Sequence, residues 1–363
     1  MEKVFLAGVC FKNKYRDSLS ELEALTRTAG GSFAGSKVFM VERINSAFYI
    51  GSGQAQLLAA ECERAGARTV VFDVNLKANQ QRNLEEVIPA KIIDRTRLIL
   101  DIFARSAHSQ DGKNQVELAQ LEYILPRLTG RGVTLMQQVG GIGVRGPGEK
   151  QIEYDRRKIK KRMSLLKKKL KAMAERREIQ RGRRLKSEIP IVAICGYTNS
   201  GKTTLLNALT KSNAVAQDRL FQTLDTLTRR TKIFDADVIF VDTVGFIRDI
   251  PPQLINAFHS TLEEISPASV LVVVFDVSTD GIAERRKVVD STLKELGFDG
   301  IPKIFAANKC DKIPHPDEKM RFIRTASSAD LGDDSTPVAI SALYKKGLED
   351  LKNRIYMAIT KAR

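Results

Sequence analysis

The stretch Gly196-Tyr197-Thr198-Asn199-Ser200-Gly201-Lys202-Thr203 decides the fold of the second half of the chain. It follows an apolar run at 191–195 and precedes a segment whose leucines recur at helical spacing. Strand, glycine-rich loop and helix in this order are typical of a phosphate-binding loop. The glycines let backbone N–H groups point at phosphate oxygens, and the start of the helix adds its positive dipole. A chance match in a glycine-rich turn is the alternative, and further motifs decide between the two.

Side chains in this loop are candidate ligands of a nucleotide. Lys202 can reach the β and γ phosphates, and Thr203 can offer its hydroxyl to Mg²⁺. The predicted nucleotide-binding residues of the loop are Gly196, Tyr197, Thr198, Asn199, Ser200, Gly201, Lys202, Thr203 and Thr204.

A second motif supplies candidates for Mg²⁺ and the γ phosphate. An apolar strand at 238–241 ends in Asp242-Thr243-Val244-Gly245. Asp242 can hold Mg²⁺ through water, and the amide of Gly245 can bind the γ phosphate with no side chain in the way. Between the two motifs, Thr223 is predicted to close over the metal and the γ phosphate. The catalytic candidates are therefore Lys202, Thr223 and Gly245, and the metal-binding candidates are Thr203, Thr223 and Asp242.

Two more motifs predict that the base is guanine. Asn308-Lys309-Cys310-Asp311 follows an apolar strand, and the Asp311 carboxylate can accept hydrogen bonds from N1–H and the 2-amino group of guanine. Adenine would leave a buried Asp311 unpaired. Ala342, in Ser341-Ala342-Leu343, can donate its amide to the guanine oxygen. The predicted nucleotide ligands after the first loop are Asp242, Gly245, Asn308, Lys309, Asp311, Ser341, Ala342 and Leu343. Four ordered motifs at strand ends resemble a translation-factor-class GTPase domain of the Ras-like kind, and we assign it to 187–363.

Composition indicates a reduced protein with a polyanionic partner. The 363 residues suffice for two or three domains, and no apolar run approaches the ~20 residues of a membrane helix. Four scattered cysteines without CxxC spacing and a start without a secretion signal favour the cytoplasm. The net charge of +16 predicts nucleic acid or an anionic membrane surface as partner. We expect a monomer.

The N-terminal part, 1–110, is predicted to be a small α/β subdomain. Apolar strands are expected at 4–9, 47–50, 69–73 and 90–94, with helical segments between them. Strands that alternate with helices indicate a parallel sheet.

Residues 111–186 are predicted to form a basic helical hairpin. Its second helix, from 151 to about 185, carries an apolar stripe at coiled-coil spacing, which needs an apolar partner. The stripe consists of Ile152, Ile159, Met163, Leu166, Leu170 and Met173. The preceding helix is the nearest partner, so an antiparallel hairpin with a glycine-rich loop at 140–149 is expected. From 156 to 186, sixteen Lys or Arg face two Glu. A solvated face is the ordinary explanation of such a run, but its length and one-sidedness favour RNA, and its narrow apolar stripe disfavours a membrane.

The chain resembles HflX-type GTPases over nearly its whole length. The resemblance rests on 94–104 (DRTRLILDIFA), 115–121 (QVELAQL), the loop 140–149 (GGIGVRGPGE), the phosphate-binding loop and Thr223-Leu224-Asp225. It implies a cytoplasmic GTPase that binds the large ribosomal subunit, and in some members splits ribosomes. The basic hairpin would then be the arm that contacts rRNA.

Three questions stay open at this point. Phe246 stands where Ras-like proteins have a water-orienting glutamine, which predicts slow intrinsic hydrolysis. Asn199 either coordinates K⁺ near the phosphates or only shapes the loop. A second class of function, an RNA-remodelling nucleotidase with an ATP site in the N-terminal domain and GTP as regulator, would require ATP binding there. Gln54, where the family often has lysine, puts such a site in doubt.

Overall fold

A computed structural model describes residues 1–11, 19–128, 147–185, 189–210, 212, 220–221, 227–248, 266–279, 281–313 and 336–361, without the side chains of 147–151, 177–178 and 180–185. These residues divide into two units, Met1–Arg105 with Lys113–Ala172, and Ser106–Gly112 with Met173–Arg363. Each unit is considered by itself. Among the described helices, none combines the length and the apolar character that a membrane crossing needs.

The first unit is built on a parallel sheet of four strands in the order β2-β1-β3-β4. Its elements in chain order are β1 (Glu2–Phe11), α1 (Leu19–Thr28), β2 (Gly31–Val41), α2 (Ser52–Ala65), β3 (Thr69–Phe72), α3 (Ala78–Val87) and β4 (Lys91–Ile93). On one face of the sheet, α2 and α3 help to bury an apolar core that includes Phe39, Leu58, Phe72 and Leu84. The alternation of strands and helices predicted this α/β arrangement.

The strand expected at 47–50 is wrong. That segment is a turn in which Asn45 and Tyr49 exchange both backbone hydrogen bonds, at 3.0 and 2.9 Å. The Asn45 carboxamide accepts from the amides of Ala47 and Phe48, at 2.8 and 3.0 Å, and so offers this backbone an alternative to pairing in the sheet. The strand that pairs with β1 is instead β2, whose glycines and serines weaken the apolar alternation by which strands are recognised.

Helices follow the sheet: α4 (Arg95–Ser106), α5 (Gln110–Ile124), a 3₁₀ turn (Leu125–Arg127) and α6 (Pro147–Leu185). The predicted apolar stripe is the covered face of α6, since Leu166 is fully buried and the other five stripe residues are half-buried. α6 is joined to α5 by ion pairs of Arg162 with Glu117 and Lys167 with Glu122. These two ion pairs do not fix the relative direction of the helices, because each long side chain can reach an acid more than one helical turn away. The antiparallel direction therefore stays a prediction. Most of the glycine-rich loop lies outside the described residues.

The second unit contains a six-stranded sheet in the order β10-β9-β8-β5-β7-β6. All its strand pairs are parallel except the pair of β6 with β7. Its elements are β5 (Ile191–Gly196), α7 (Lys202–Thr210), β6 (Leu227–Ile233), β7 (Ala236–Asp242), β8 (Val270–Asp276), α8 (Ile282–Glu295), β9 (Lys303–Asn308), a 3₁₀ turn (Cys310–Lys312), β10 (Val338–Ala339) and α9 (Leu348–Lys361). The buried central strands β5 and β8 are almost continuous apolar runs, as parallel strands covered on both faces require. The predicted α/β class is confirmed. The helix expected near 252–265 lies outside the described residues.

Candidate guanine-nucleotide site

The phosphate-binding loop joins the end of β5 to the start of α7, at the carboxyl edge of the second sheet. Gly201 has φ 91°, and a Cβ at this position would lie 2.3 Å from Nδ2 of Asn308. Only glycine tolerates both the left-handed backbone and this close approach. The side-chain Nδ2 of Asn308 donates to the Ser200 carbonyl at 2.8 Å, so the guanine motif and the loop are held together.

Lys202 is the buried cation of the loop. Its side chain begins in the first turn of α7, is 7% exposed, and donates from Nζ to the Tyr197 carbonyl at 3.0 Å. Burial lowers the pKa of Lys202 to about 8, and the nearby Asp242 carboxylate opposes that change. The ammonium is therefore charged at neutral pH, and it is held in a water-poor site where its attraction for a phosphate is strong.

The two predicted metal ligands within the described residues lie side by side. Oγ1 of Thr203 donates to Oδ2 of Asp242 at 2.7 Å, and Asp242 is fully buried at the end of β7. The next residue, Thr243, fixes the strand end by donating its hydroxyl to the Ile194 carbonyl at 2.9 Å. A hydroxyl and a carboxylate oxygen are ligands that suit Mg²⁺, so this pair fits the ion. Thr223, the third predicted ligand, lies outside the described residues.

Gly245 lies directly against the loop. A Cβ on Gly245 would come within 2.8 Å of the Thr198 Cα and 2.9 Å of the Lys202 Nζ, which explains the need for glycine. The next residue, Phe246, donates its amide to the Gly196 carbonyl at 3.0 Å and accepts from the Thr198 amide at 2.8 Å. Its side chain is 2% exposed. A buried phenyl ring has no group that could orient a water molecule for attack, which supports the expectation of slow intrinsic hydrolysis.

The residues predicted to bind the base also converge. Oδ1 of Asn308 accepts from the Ala342 amide at 3.0 Å, which ties the two base motifs to each other. Ser341 donates its hydroxyl to Oδ1 of Asp311 at 2.5 Å and thereby orients that carboxylate. Leu343 follows, with 66% of its side chain exposed.

All predicted site residues except Thr223 thus come from segments that meet at one edge of the second sheet. Thr204 lies in the first turn of α7, and Asn199 has a left-handed backbone with φ 59°. Sequence reasoning missed Asp276, whose carboxylate accepts from Nζ of Lys309 at 2.8 Å. Its position as the last residue of an apolar strand was the available signal, because the other site residues also follow strand ends.

Tyr197 was predicted only as a nucleotide ligand, and its role in the structure was not foreseen. Its hydroxyl accepts from the Arg248 amide at 3.2 Å, and the guanidinium of Arg285 lies over its ring, 5.3 Å from the centroid. A tyrosine in this loop therefore connects the loop to the segment after Gly245 and to α8. This contact depends on the tertiary fold and has no signal in the loop sequence.

Comparison with known proteins places the chain among GTP-binding proteins. Three family models match the chain: "GTP-binding GTPase N-terminal" over residues 16–104, "GTP-binding GTPase Middle Region" over 106–184, and "50S ribosome-binding GTPase" over 191–309. A GTP-binding protein of the archaeon Sulfolobus solfataricus, solved in complex with GDP, superposes with a TM-score of 0.51 at 27% identity, covering 100% of both chains.

Several curated relatives carry the name GTPase HflX, and two of them show the extent of the similarity. The protein of Caldanaerobacter subterraneus subsp. tengcongensis is 45% identical over 311 residues, which are 85% of this chain and 73% of the relative. The protein of Escherichia coli K12 is 38% identical over 314 residues, 86% of this chain and 74% of the relative. With the phosphate loop, the guanine motif and the matches to all three family models, the chain belongs to the HflX family of GTPases and is a P-loop enzyme that binds and hydrolyses GTP.

Proposed function

We propose that this GTPase associates with the large ribosomal subunit and that α6 contacts rRNA. The observation that carries the proposal is a row of exposed lysines on the side of α6 that its covered stripe leaves open to solvent: Lys160, Lys161, Lys168 and Lys171. Residues at these spacings share one side of a helix, and the row is about 17 Å long at a rise of ~1.5 Å per residue. A cationic row of this length suits a series of backbone phosphates.

The lysine row differs from the cations that hold α6 in place. Arg162 makes a two-point contact with Glu117 at 2.6 and 2.7 Å, and Lys167 pairs with Glu122 at 3.1 Å. Within the described residues, no ion pair joins the four lysines of the row to an acid. The four lysines of the row are therefore available to a polyanion, whereas Arg162 and Lys167 bind α6 to α5. The name of the family model matched at 191–309 is consistent with a ribosomal partner.

Reversing Lys161 and Lys168 to glutamate tests this proposal. Each cation that contacts a phosphate adds about one unit to the salt slope, so we expect the slope to fall by about two and binding to large subunits to weaken about 10- to 100-fold. Co-sedimentation with purified large subunits over a range of KCl concentrations measures both quantities, and binding should require GTP.

Lys287 and Lys294 on α8 provide a matched control, because both are exposed and also lie seven residues apart on a helix. Their reversal to glutamate should leave binding nearly unchanged. Equal losses of binding in the two variants would mean that the net charge of the protein, and not the position of the lysines, determines ribosome binding. Equal binding in the GTP-bound, GDP-bound and nucleotide-free states would mean that ribosome binding is not coupled to the GTPase cycle. We further propose that the free protein is a monomer, which its own sedimentation tests, and that it acts in the cytoplasm, where a ribosomal partner would be met.

We also propose that hydrolysis uses Mg²⁺, held by Thr203 and Asp242 with Thr223, and K⁺ held by Asn199. The support for Mg²⁺ is the contact of the Thr203 hydroxyl with the Asp242 carboxylate, and for K⁺ it is the asparagine within the phosphate-binding loop. GTP hydrolysis should vanish without Mg²⁺ and run faster in KCl than in NaCl. Equal rates in the two salts would leave Asn199 with a loop-shaping role only.

The alternative of an ATP site in the N-terminal domain stays a prediction without structural support. The buried cation at the carboxyl edge of the first sheet, Arg95, is already engaged with the carboxylates of Glu21 and Asp73.

A further inference from the structure

Tyr197 is the residue of the phosphate-binding loop that contacts both the buried cation and the segment after Gly245. Its carbonyl accepts from Nζ of Lys202 at 3.0 Å, and its phenolic oxygen accepts from the Arg248 amide at 3.2 Å. The residue is 4% exposed, so both contacts lie inside the protein. A change at this one side chain can therefore be felt by the segment without removing the cation from the site.

The segment 245–248 is tied to the loop by three hydrogen bonds. Two are backbone bonds of Phe246, whose amide donates to Gly196 at 3.0 Å and whose carbonyl accepts from Thr198 at 2.8 Å. The third, from the Arg248 amide to the tyrosine hydroxyl, lies further along the segment and involves a side chain. It fixes the direction in which the segment leaves the loop, and a substitution can remove it while the two backbone bonds stay in place.

Arg285 holds the tyrosine ring from the side of α8. Its guanidinium lies over the ring, 5.3 Å from the centroid, and attracts the ring face. The guanidinium is itself anchored, because it donates to Oγ1 of Thr279 at 2.6 Å. The phenol is therefore placed by α8 and by its own loop, and it directs the segment rather than following it.

We propose that Tyr197 is a positioning residue for the γ phosphate, because its hydroxyl holds the segment 245–248 against the loop before GTP binds. Gly245 is predicted to donate its amide to that phosphate. A Cβ on Gly245 would lie 2.9 Å from Nζ of Lys202, so its backbone and the ammonium are close enough to act on one phosphate group. A free segment would lose conformational entropy when GTP binds, whereas a segment that is already held has lost most of it beforehand.

This role has a distinctive consequence for the two guanine nucleotides. GDP has no γ phosphate and makes no demand on the segment 245–248. Loss of the Tyr197 hydroxyl should therefore weaken the triphosphate and spare the diphosphate. General damage to the loop would weaken both nucleotides, because the loop surrounds phosphates that both of them carry.

The test compares Tyr197→Phe, which keeps the ring, with Tyr123→Phe. Tyr123 is also 4% exposed, and its hydroxyl also makes a buried hydrogen bond, to Asp94 at 2.9 Å in the first unit. Competition with a fluorescent GDP analogue on the full chain with Mg²⁺ gives dissociation constants for GDP and for the β,γ-imido analogue of GTP. We expect Tyr197→Phe to weaken the imido analogue about threefold to tenfold, with GDP within about twofold. The kcat/KM for GTP should fall at least as much, and the control should leave the ratio of the two constants unaltered.

A second pair of variants approaches the tyrosine from α8. Arg285→Gln removes the cation above the ring, so it should shift the ratio in the same direction but by less than Tyr197→Phe. Arg286→Gln is its control, because the guanidinium of Arg286 lies over a different ring, that of Phe305, at 4.6 Å. Hydrogen exchange of the nucleotide-free chain gives a direct readout, since the Arg248 amide should exchange faster in Tyr197→Phe.

Three results would each overturn the proposal. Equal weakening of GDP and the imido analogue would mean that the hydroxyl only supports the loop, and an unchanged ratio would mean that the segment does not depend on it. Tighter binding of the imido analogue would mean that the hydroxyl holds the segment away from the γ phosphate. None of these measurements involves ribosomes, so the proposed ribosome binding stands or falls separately.

Discussion

Replacing Asp311 with asparagine is expected to change the preferred nucleotide of this GTPase from GTP to xanthosine triphosphate. Guanine offers two donors to a carboxylate, whereas xanthine has a carbonyl at C2 and needs a donor there. Ser341 donates to Oδ1 of Asp311 at 2.5 Å. An asparagine can keep that bond with its oxygen and turn its NH₂ group towards the base. The exchange therefore changes the chemistry of the pocket with little change in shape.

The expected effect is large because both bonds of guanine to Asp311 are charge-assisted. Each contributes ~1.5–3 kcal/mol, so GTP affinity should fall at least about 100-fold while xanthosine triphosphate gains. Competition binding with both nucleotides and steady-state hydrolysis of each measure the change. Ser341→Ala is the control, since it loosens the orientation of the carboxylate without changing its chemistry and should weaken GTP with no gain for xanthine. An Asp311→Asn protein that still prefers GTP would show that the base pocket lies elsewhere.

The site was predictable because its chemistry is local in sequence. A short motif that follows an apolar strand is brought to the carboxyl edge of a parallel sheet, and there the motifs of Lys202, Asp242 and Asp311 meet. Contacts set by the tertiary fold were not predictable in this way. Asp276 reaches Lys309 only because β8 and β9 are neighbours in the sheet, an order that the strand patterns do not give.

The first unit was harder to predict for a related reason. β2 contains the small residues Gly31, Ala34 and Gly35, which interrupt both the alternation typical of a strand and the 3.6-residue repeat typical of a helix. The apolar segment at 47–50, which is a turn, was therefore the stronger local signal for a strand. In α6, by contrast, seven-residue spacing alone identified the covered stripe. A heptad pattern reports the burial of a helix face directly, whereas strand order depends on pairings between distant segments.

The buried charges of the first unit had no sequence signal, and they carry the second large prediction. Replacing Arg95 with alanine is expected to destabilise the first unit by about 3–5 kcal/mol. The guanidinium is 3% exposed, contacts the Glu21 carboxylate, and lies 2.6 Å from Oδ1 of Asp73. These acids are 7% and 9% exposed, so the variant would remove from two buried carboxylates the cation that both of them contact.

Hydrogen exchange of the full chain in increasing urea measures this loss, because amides of β3 and β4 report on the first unit while those of β5 and β8 report on the second. Arg97→Ala is the matched control: its ion pair with Asp101 is about one-third exposed, so the change should cost less than about 1 kcal/mol. Adding Glu21→Gln and Asp73→Asn to Arg95→Ala should restore part of the lost stability. The destabilisation arises from the uncompensated charge of the two acids as well as from the missing methylene groups of the arginine. If Arg95→Ala resembled the Arg97→Ala control, the triad would contribute little to holding α1, β3 and α4 together. Apolar packing of the surrounding residues would then have to be what keeps these three charged side chains buried.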